Sequence, residues 1–359
     1  MALSLVPGVG PGRVQALLAA CGSASAVLGA SVSRLVRAEG VGRRTAEAVR
    51  AWDDWAEVDR QFDAAERVGA QLVARGDPEY PPLLAQIYDP PAFLWTLGRF
   101  TEADRLAVAV VGTRKLSDAG RRAAEAFGHD LAAAGATVAS GLAYGIDIAA
   151  HRAALDAGGR TVAVLGSGVD RIYPSRHVGT ARRIVEADAG AVVSEFPMGA
   201  APDAANFPRR NRIVSGMSRA VVVAEARETG GALLTAGIAL EQNRDVFAVP
   251  ASIFADAQGT NRLIQQGVAG LAVSAADVLT AVAPQLAQGV PAPDLSPPAP
   301  PDLNTVEQRL YDALSPDPVG LDAVCERAGL DAATALVYLL QLEFRGLVRQ
   351  LAGKQFRRS

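Results

Sequence analysis

Between residues 106 and 273 the chain alternates two patterns. Short apolar runs at 106–111, 137–140, 161–165, 191–195, 220–224, 246–249 and 271–273 are separated by longer segments. Most of these are alanine-rich, as at 117–134, 145–157, 179–187 and 233–243, with apolar residues recurring at helical spacing. A run such as Val108-Ala109-Val110-Val111 has no polar face, as expected of a strand covered on both sides. Alternation of such strands with amphipathic helices predicts a Rossmann-like α/β domain with a doubly wound, mostly parallel sheet. Ligands of these sheets bind beyond the carboxyl ends of the strands, so the loops that follow the strands are where chemistry is expected.

The patterning changes on either side of this block. Val6-Pro7-Gly8-Val9-Gly10 leads into a helical pattern through Val14, Leu17 and Leu18, and Gly40-Val41-Gly42-Arg43-Arg44 precedes Ala46 and Val49 in the same arrangement. This weak repeat predicts a small all-α module of the helix-hairpin-helix (SAM-like) kind over residues 1–70. Its glycine turns open helices with free N–H groups that suit a DNA backbone, and they equally suit a structural or protein-binding bundle. Asp53, Asp54, Glu57, Asp59, Asp63 and Glu66 mark a solvated helix that leads onward. The Rossmann-like domain is assigned to residues 71–282, with its core at 106–273. A proline-rich linker follows at 283–302. Three helical segments at 305–314, 321–328 and 332–345, then extended runs at 347–351 and 355–358 around Gly353, predict a winged-helix-like domain over 303–359. The helix at 332–345 offers only Thr334, Gln341, Glu343 and Arg345 for reading bases. A protein partner and a phosphate contact through the basic wing are both open for it.

Composition narrows the classes. Half of the 359 residues are hydrophobic, yet no apolar run approaches the roughly 18–20 residues of a membrane span, and Met1-Ala2-Leu3-Ser4-Leu5 has no basic stretch before an apolar core. A cytoplasmic protein without a membrane partner is expected. Cys21 and Cys325 lie at opposite ends, which argues against a disulfide framework or a zinc cluster and makes both small buried hydrophobes. The net charge of −3 makes no case for nucleic acid. Its distribution does. Lysine occurs only at Lys115 and Lys354, so the positive charge is nearly all arginine, which forks onto phosphate and stacks on bases. Compositional bias accounts for that overall preference. Local clusters carry the information: Arg13 to Arg50, the four arginines between Ala204 and Arg219 with no acid among them, and the tail from Arg345 to Arg358.

Three loops carry candidate chemistry. After the first strand stand Gly112, Thr113, Arg114 and, at the helix start, Ser117; after the second, Ser140 and Gly141; after the fifth, Glu225-Ala226-Arg227-Glu228-Thr229-Gly230-Gly231, with Thr235 one turn inside the helix. Each is expected to aim free N–H groups, hydroxyls or a guanidinium at one crevice, which makes an anion site. The dinucleotide fingerprint Gly-x-Gly-x-x-Gly, the Gly-Lys-Ser/Thr phosphate loop and the Gly-x-Ser-x-Gly elbow are all missing, so no cofactor, metal or catalytic residue is expected. Asp147 and His151, four apart on one helix, suit an acid–base pair, but helix capping and packing is the favoured reading. The most informative segment is Phe207-Pro208-Arg209-Arg210-Asn211-Arg212. Arginines beside an exposed aromatic on a loop suit a base stacked on Phe207 with its phosphates on arginine.

These motifs keep the order of the DNA-processing protein A (DprA/Smf) family, which the chain resembles over about 160 residues. The matching stretches are Gly112-Thr113-Arg114, the run from Ser140 to His151, Tyr173-Pro174, Ser194-Glu195-Phe196-Pro197, Phe207 to Arg212, and Gly230 to Ala236. Asp77 to Leu84 and Asp89-Pro90-Pro91 fit the family's lead-in. The resemblance implies a cytoplasmic, non-enzymatic, homodimeric protein that binds single-stranded DNA and helps load the RecA recombinase in natural transformation. It implies DNA contacts at Gly112, Arg114, Phe207, Arg210 and Arg212; duplex DNA, protein partners and each other are all open as targets of the flanking modules. Three departures bear on contacts: Pro250-Ala251 replaces Pro-Gly, Thr229-Gly230-Gly231 replaces Ser-Gly-Ser, and Ala204-Ala205 stands where some members carry lysine, which shifts one phosphate contact to Arg209. The alternative is a nucleotide-binding enzyme of the phosphoribohydrolase type, whose Pro-Gly-Gly-x-Gly-Thr-x-x-Glu motif is not matched at Thr229 to Thr235.

Overall fold

A nine-stranded sheet organises the larger part of the chain. Its strands are β1 (Gln71–Ala74), β2 (Phe93–Gly98), β3 (Ala107–Gly112), β4 (Thr137–Ser140), β5 (Thr161–Val164), β6 (Gly190–Ser194), β7 (Ala220–Glu225), β8 (Asp245–Ala248) and β9 (Gly270–Leu271), in the order β1-β2-β6-β5-β4-β3-β7-β8-β9. The seven strands from β3 to β9 pair in parallel and coincide with the seven predicted runs to within two residues at their ends. β1 and β2 are additions that extend one edge antiparallel. The computed structural model describes residues 1–287, 303–315 and 317–358, so most of the proline-rich segment, residues 288–302, lies outside the described residues.

The alternation within β3 shows why the sheet is covered on both faces. Ala107, Ala109 and Val111 enter one core with α10 (Asn206–Gly216) and α11 (Gly231–Glu241). Val108 and Val110 enter the other with α7 (Asp118–Ala133) and α8 (Ile146–Asp156). A third cluster packs α9 (Val178–Glu186) through Ala181 and Ile184 against Ala163 and Val192. The chain steps from β3 through β4 and β5 to β6 in one direction, and β7 then joins the opposite side of β3. That reversal opens a crevice at the carboxyl ends of β3 and β7, the place where doubly wound sheets hold ligands.

α10 corrects the expectation of a basic loop. Pro208 falls in its first turn, where the missing N–H costs nothing, and Ile213 and Val214 bury its inner face. Two shorter elements complete the sheet domain: α12 (Gln258–Gln265) and α13 (Ala275–Val282), the latter capped by Ser274, with α14 (Pro284–Ala287) after it.

The N-terminal module contains α1 (Ala2–Leu5), α2 (Pro11–Cys21), α3 (Ala24–Gly29), α4 (Val32–Leu35) and α5 (Arg43–Ala51), closed around Leu17, Val27, Leu35 and Val49. α2 and α5 each start directly after a Gly-x-Gly turn, as predicted. Arg13 ties the two turns together by donating to the Gly8 and Gly40 carbonyl oxygens, the latter at 2.8 Å. The acidic segment forms α6 (Trp55–Val68), where Asp54 caps the first turn through the Glu57 N–H.

The chain divides into two compact units, Met1–Pro293 and Asp294–Ser359. The second holds α15 (Thr305–Ala313), β10 (Val319–Gly320), α16 (Leu321–Ala328), α17 (Ala332–Phe344), β11 (Val348–Leu351) and β12 (Gln355–Arg358), its sheet ordered β10-β12-β11. Leu310, Val324, Leu339 and Leu342 form its core, while Val337, Leu340 and Phe344 of α17 face outward. Cys21 is buried as expected and Cys325 only half so. Among the described residues no helix is long and apolar enough to cross a membrane.

Candidate nucleic-acid interface

The crevice is a cleft of about 280 Å³ lined by the loops after β3, β4 and β7 and by one side each of α10 and α11. All three predicted loops therefore meet at one place. They do not contribute in the same way.

The loops after β3 and β4 use their donors internally. Thr113 N–H donates to the Glu225 carbonyl oxygen at 2.8 Å, Ser117 N–H to Glu225 Oε2 at 2.9 Å, and Ser117 Oγ caps α7 by accepting from Gly120 N–H at 3.0 Å. Gly141 and Ala143 N–H both donate to Asp147 Oδ2, at 3.1 and 3.3 Å. Their glycines are filled by the protein itself. A Cβ on Gly141 would stand 1.9 Å from Arg210 Nη1, one on Gly112 2.3 Å from Ile146 Cγ1, and one on Gly145, whose φ is +84°, 2.1 Å from the Thr113 carbonyl oxygen.

The loop after β7 is the opposite case. Gly230 is extended, with φ 174°, and neither it nor Gly231 has any protein atom within 4 Å of a built Cβ. No side chain caps α11, so the N–H groups of its first turn open onto the cleft, where they favour an anion. Thr235 is buried one turn on, its Oγ1 donating to the Gly231 carbonyl oxygen at 3.1 Å. Arg227 adds a positive charge to the lining; Glu228, exposed, reaches Arg262 at 4.0 Å.

Across the cleft Arg114 lies over the Phe207 ring, its Cζ 4.6 Å from the centroid. Phe207 is half-buried rather than freely exposed, because Arg114 covers one face and the ring rests near Gly166, where a Cβ would approach it to 3.2 Å. Tyr173 stands 6.2 Å away by ring centroids, and Tyr144 packs edge-on against His177. Tyr173, Phe207 and Tyr144 line a smaller recess that adjoins the cleft and shares Arg114, Gly141 and Ala143 with it.

The arginines of α10 divide between two sides. Arg210 is buried at the cleft floor, where Nη1 donates to the Val164 carbonyl oxygen and Nε to Asn211 Oδ1 at 3.2 Å. Burial lowers its pKa, partly offset by the Asp147 carboxylate. Burial likewise raises the Asp147 carboxyl, opposed by Arg210 and the two loop N–H groups. Arg212 is buried on the far side, paired with Glu195 and, at 3.1 Å, with Asp89. Arg209 is exposed and stacks over Phe196 at 5.2 Å. Arg209, Arg212, Ser117 and Ser140 do not line the cleft; the Ser140 hydroxyl donates to the Val110 carbonyl oxygen at 2.6 Å.

Asp147 and His151 do not work as a pair. His151 Nδ1 meets Thr161 Oγ1 at 2.6 Å, fully buried at the start of β5, and burial first, then Arg210 and His177, pushes its pKa down to about 3. It is a neutral packing group. Of the predicted residues, Gly112, Thr113, Arg114, Gly141, Phe207, Arg210, Asn211, Gly230, Gly231 and Thr235 meet at the cleft. Arg227, Tyr144 and Tyr173 are additions. Tyr173 stood in a motif already noted beside Pro174, whereas nothing local marked Tyr144 as a surface ring.

A Rossmann-like sheet with an anion-favouring cleft, preceded by paired glycine-turn helices and followed by a winged helix, defines a modular DNA-processing protein. The N-terminal residues 1–51 match a SAM-like helix-hairpin-helix tandem, and residues 294–354 match the DprA winged helix domain. The chain belongs to the DNA recombination-mediator protein A family, whose model matches residues 71–283. It is 37% identical to Protein Smf of Synechocystis over 323 residues, 80% of each chain, and 38% identical to Protein Smf of Escherichia coli over 80% of this chain and 77% of that one. The solved structure of DNA processing protein A from Streptococcus pneumoniae superposes with a TM-score of 0.67 at 33% identity, covering 78% of this chain and 95% of that one. The Helicobacter pylori protein, solved for its single-stranded DNA binding mode, gives 0.54 at 26% identity over 60% and 96%.

Proposed function

We propose that the cleft binds single-stranded DNA without altering it covalently, and that the protein protects incoming strands and helps load RecA during transformation and recombination. The observation that carries this reading is the pairing, across one cleft, of an arginine stacked on an aromatic ring with an uncapped helix N-terminus behind Gly230-Gly231. The helix end suits a phosphate. The Arg114 guanidinium suits a second phosphate, and the Phe207 and Tyr173 rings suit bases, whose stacking is worth about 1–3 kcal/mol each and tolerates any sequence. Arg114, Phe207, Gly230 and Gly231 make direct contacts; Gly112, Thr113, Gly141, Arg210 and Thr235 shape the walls. The likeness to the Helicobacter pylori protein supports the choice of ligand, and family membership supports the RecA role.

The non-catalytic part rests on the engagement of the acids: Asp147 is held by two N–H groups and Glu225 by Ser117. Residues 71–282 form the DNA-binding domain and also the homodimer contact, for which the exposed Ile253, Phe254, Leu271 and Val273 near the β9 edge are suited. A salt titration tests the ligand. Arg114→Ala is expected to weaken oligonucleotide binding about tenfold and to reduce the slope of log K against log salt by about 0.7, the value for one phosphate on a single strand. A slope unchanged from wild type would remove Arg114 from the phosphate path. Incubation with nucleoside monophosphates is expected to release no free base, and release at enzymatic rates would sink the non-catalytic reading.

A further inference from the structure

The outer face of α6 carries two large rings that stand open to solvent. Trp55 is 54% exposed and Phe62, two turns on, 47%. Residues seven apart in a helix share a face, so the rings lie on one stripe with their Cα atoms about 10 Å apart. Asp59 and Glu66 share that stripe and Asp63 borders it. The solvent face of a helix is ordinarily polar, so two aromatics in line on it mark a surface that another molecule covers. The stripe is held rigid from below. Ala65 is buried with Phe93, Trp95 and Met198, and Gln61 accepts from the Met198 N–H at 2.7 Å. Phe62 packs edge to face on Trp95 at 5.6 Å between ring centroids, and Trp55 on Trp52 at 5.2 Å.

Charge decides what the cover is. Asp59, Asp63 and Glu66 are exposed and form no ion pair among the described residues; the pairs of this helix join Arg60 to Glu57 and to Asp54. Three open carboxylates repel a phosphate backbone, so the cover is a cationic protein surface and not nucleic acid. The chain itself supplies one. Residues 1–50 hold six arginines against two glutamates, while residues 53–68 hold six acids against two arginines. At the end of α4, the exposed Arg34 and Arg37 flank Val36, itself 41% exposed, and neither arginine has an ion-pair partner among the described residues. Within one copy these surfaces are not joined: Arg43 pairs with Glu47 inside α5, and Arg60 pairs with α6 and its cap. Arginine also stacks on aromatic faces, and tryptophan and arginine are the side chains that most often anchor interfaces. We propose that the outer face of α6 is a self-association surface that takes the end of α4 from a second copy, with Arg34 and Arg37 on the carboxylates and rings and Val36 between them. The contact joins unlike surfaces and is separate from the β9-edge contact, so copies paired at one can be joined further at the other.

Sedimentation velocity of the full chain, at low ionic strength and over a range of concentration, tests this. Two charge-reversed proteins are compared with wild type: one carries Asp59→Lys with Glu66→Lys, the other Arg34→Glu with Arg37→Glu. Wild type is expected to form species heavier than either, and each reversal, like Trp55→Ser, is expected to weaken the association about tenfold or more. Mixed together, the two reversed proteins are expected to recover wild-type association, because each keeps the surface that the other has lost. The β9-edge contact is common to all of them and drops out of the comparison. Identical sedimentation of wild type and variants, or a mixture that stays as light as its components, overturns the proposal. Loss of oligonucleotide binding in the arginine variant with no change of mass also overturns it, and would assign the end of α4 to DNA.

Discussion

The two halves of the cleft use the same sequence vocabulary for opposite ends. On the β3 and β4 side, Gly112, Gly141 and Gly145 are occupied by Ile146, Arg210 and the Thr113 carbonyl, and the loop N–H groups are bonded to Glu225 and Asp147. On the β7 side, Gly230 and Gly231 face open space and the first turn of α11 is uncapped. A glycine-rich loop therefore has two physical meanings. Packing of the protein on itself demands glycine at the first set; at the second the protein leaves the space free, as the proposed approach of a DNA strand requires.

The largest effect expected from that difference is on the packed side. Arg210→Ala removes a buried guanidinium that donates to the Val164 carbonyl oxygen and leaves a cavity at the cleft floor, so urea unfolding is expected to show a loss of about 3 kcal/mol. A loss below about 1 kcal/mol would mean that Arg210 is not part of a packed cleft floor. Gly145→Ala, at φ +84° and with backbone 2.1 Å from its Cβ, belongs to the same class and is expected to cost at least about 2 kcal/mol.

His151 extends the contrast to pH. Its folded pKa, pushed down to about 3, lies below the ordinary 6.5, so between these values the unfolded chain holds the extra proton. Its contribution is present in full above about pH 6.5 and is lost as the pH falls, by up to about 1.4 kcal/mol per pH unit. Wild type minus His151→Gln isolates that slope, because the raised carboxyls of Asp147 and Glu195 titrate in both. Parallel pH curves for the two proteins would show that His151 is not held neutral.

On the open side, Gly231→Ala is expected to leave stability within about 0.5 kcal/mol of wild type while weakening single-strand binding roughly tenfold. Unchanged binding would erase the distinction between the two kinds of glycine.

Much of this arrangement was legible in the chain. The seven parallel strands read clearly because short apolar runs alternating with helical patterns have few other uses, whereas their order in the sheet comes only from the structure. β1 was missed because Gln71-Leu72-Val73-Ala74 is short and partly polar, and β2 because Phe93 stands only two residues after Pro90-Pro91. α10 was hidden by its composition: Asn206, Pro208 and Asn211 mark loops, and only tertiary burial of Ile213 and Val214 makes the segment a helix. The same burial decided the arginines. Sequence spacing grouped Arg209, Arg210 and Arg212, whereas helical geometry sends Arg210 to the cleft floor, Arg212 to Glu195 and Asp89, and Arg209 outward over Phe196. No local pattern reports which side of a helix will meet a buried acid.

A crosslinking map of a bound oligonucleotide tests the central claim most directly. The account predicts adducts at Phe207, Tyr173 and the 229–231 loop, lost together in Arg114→Ala at raised salt. Adducts confined to the glycine turns of the N-terminal module or to the winged helix, with none in the cleft, would contradict it.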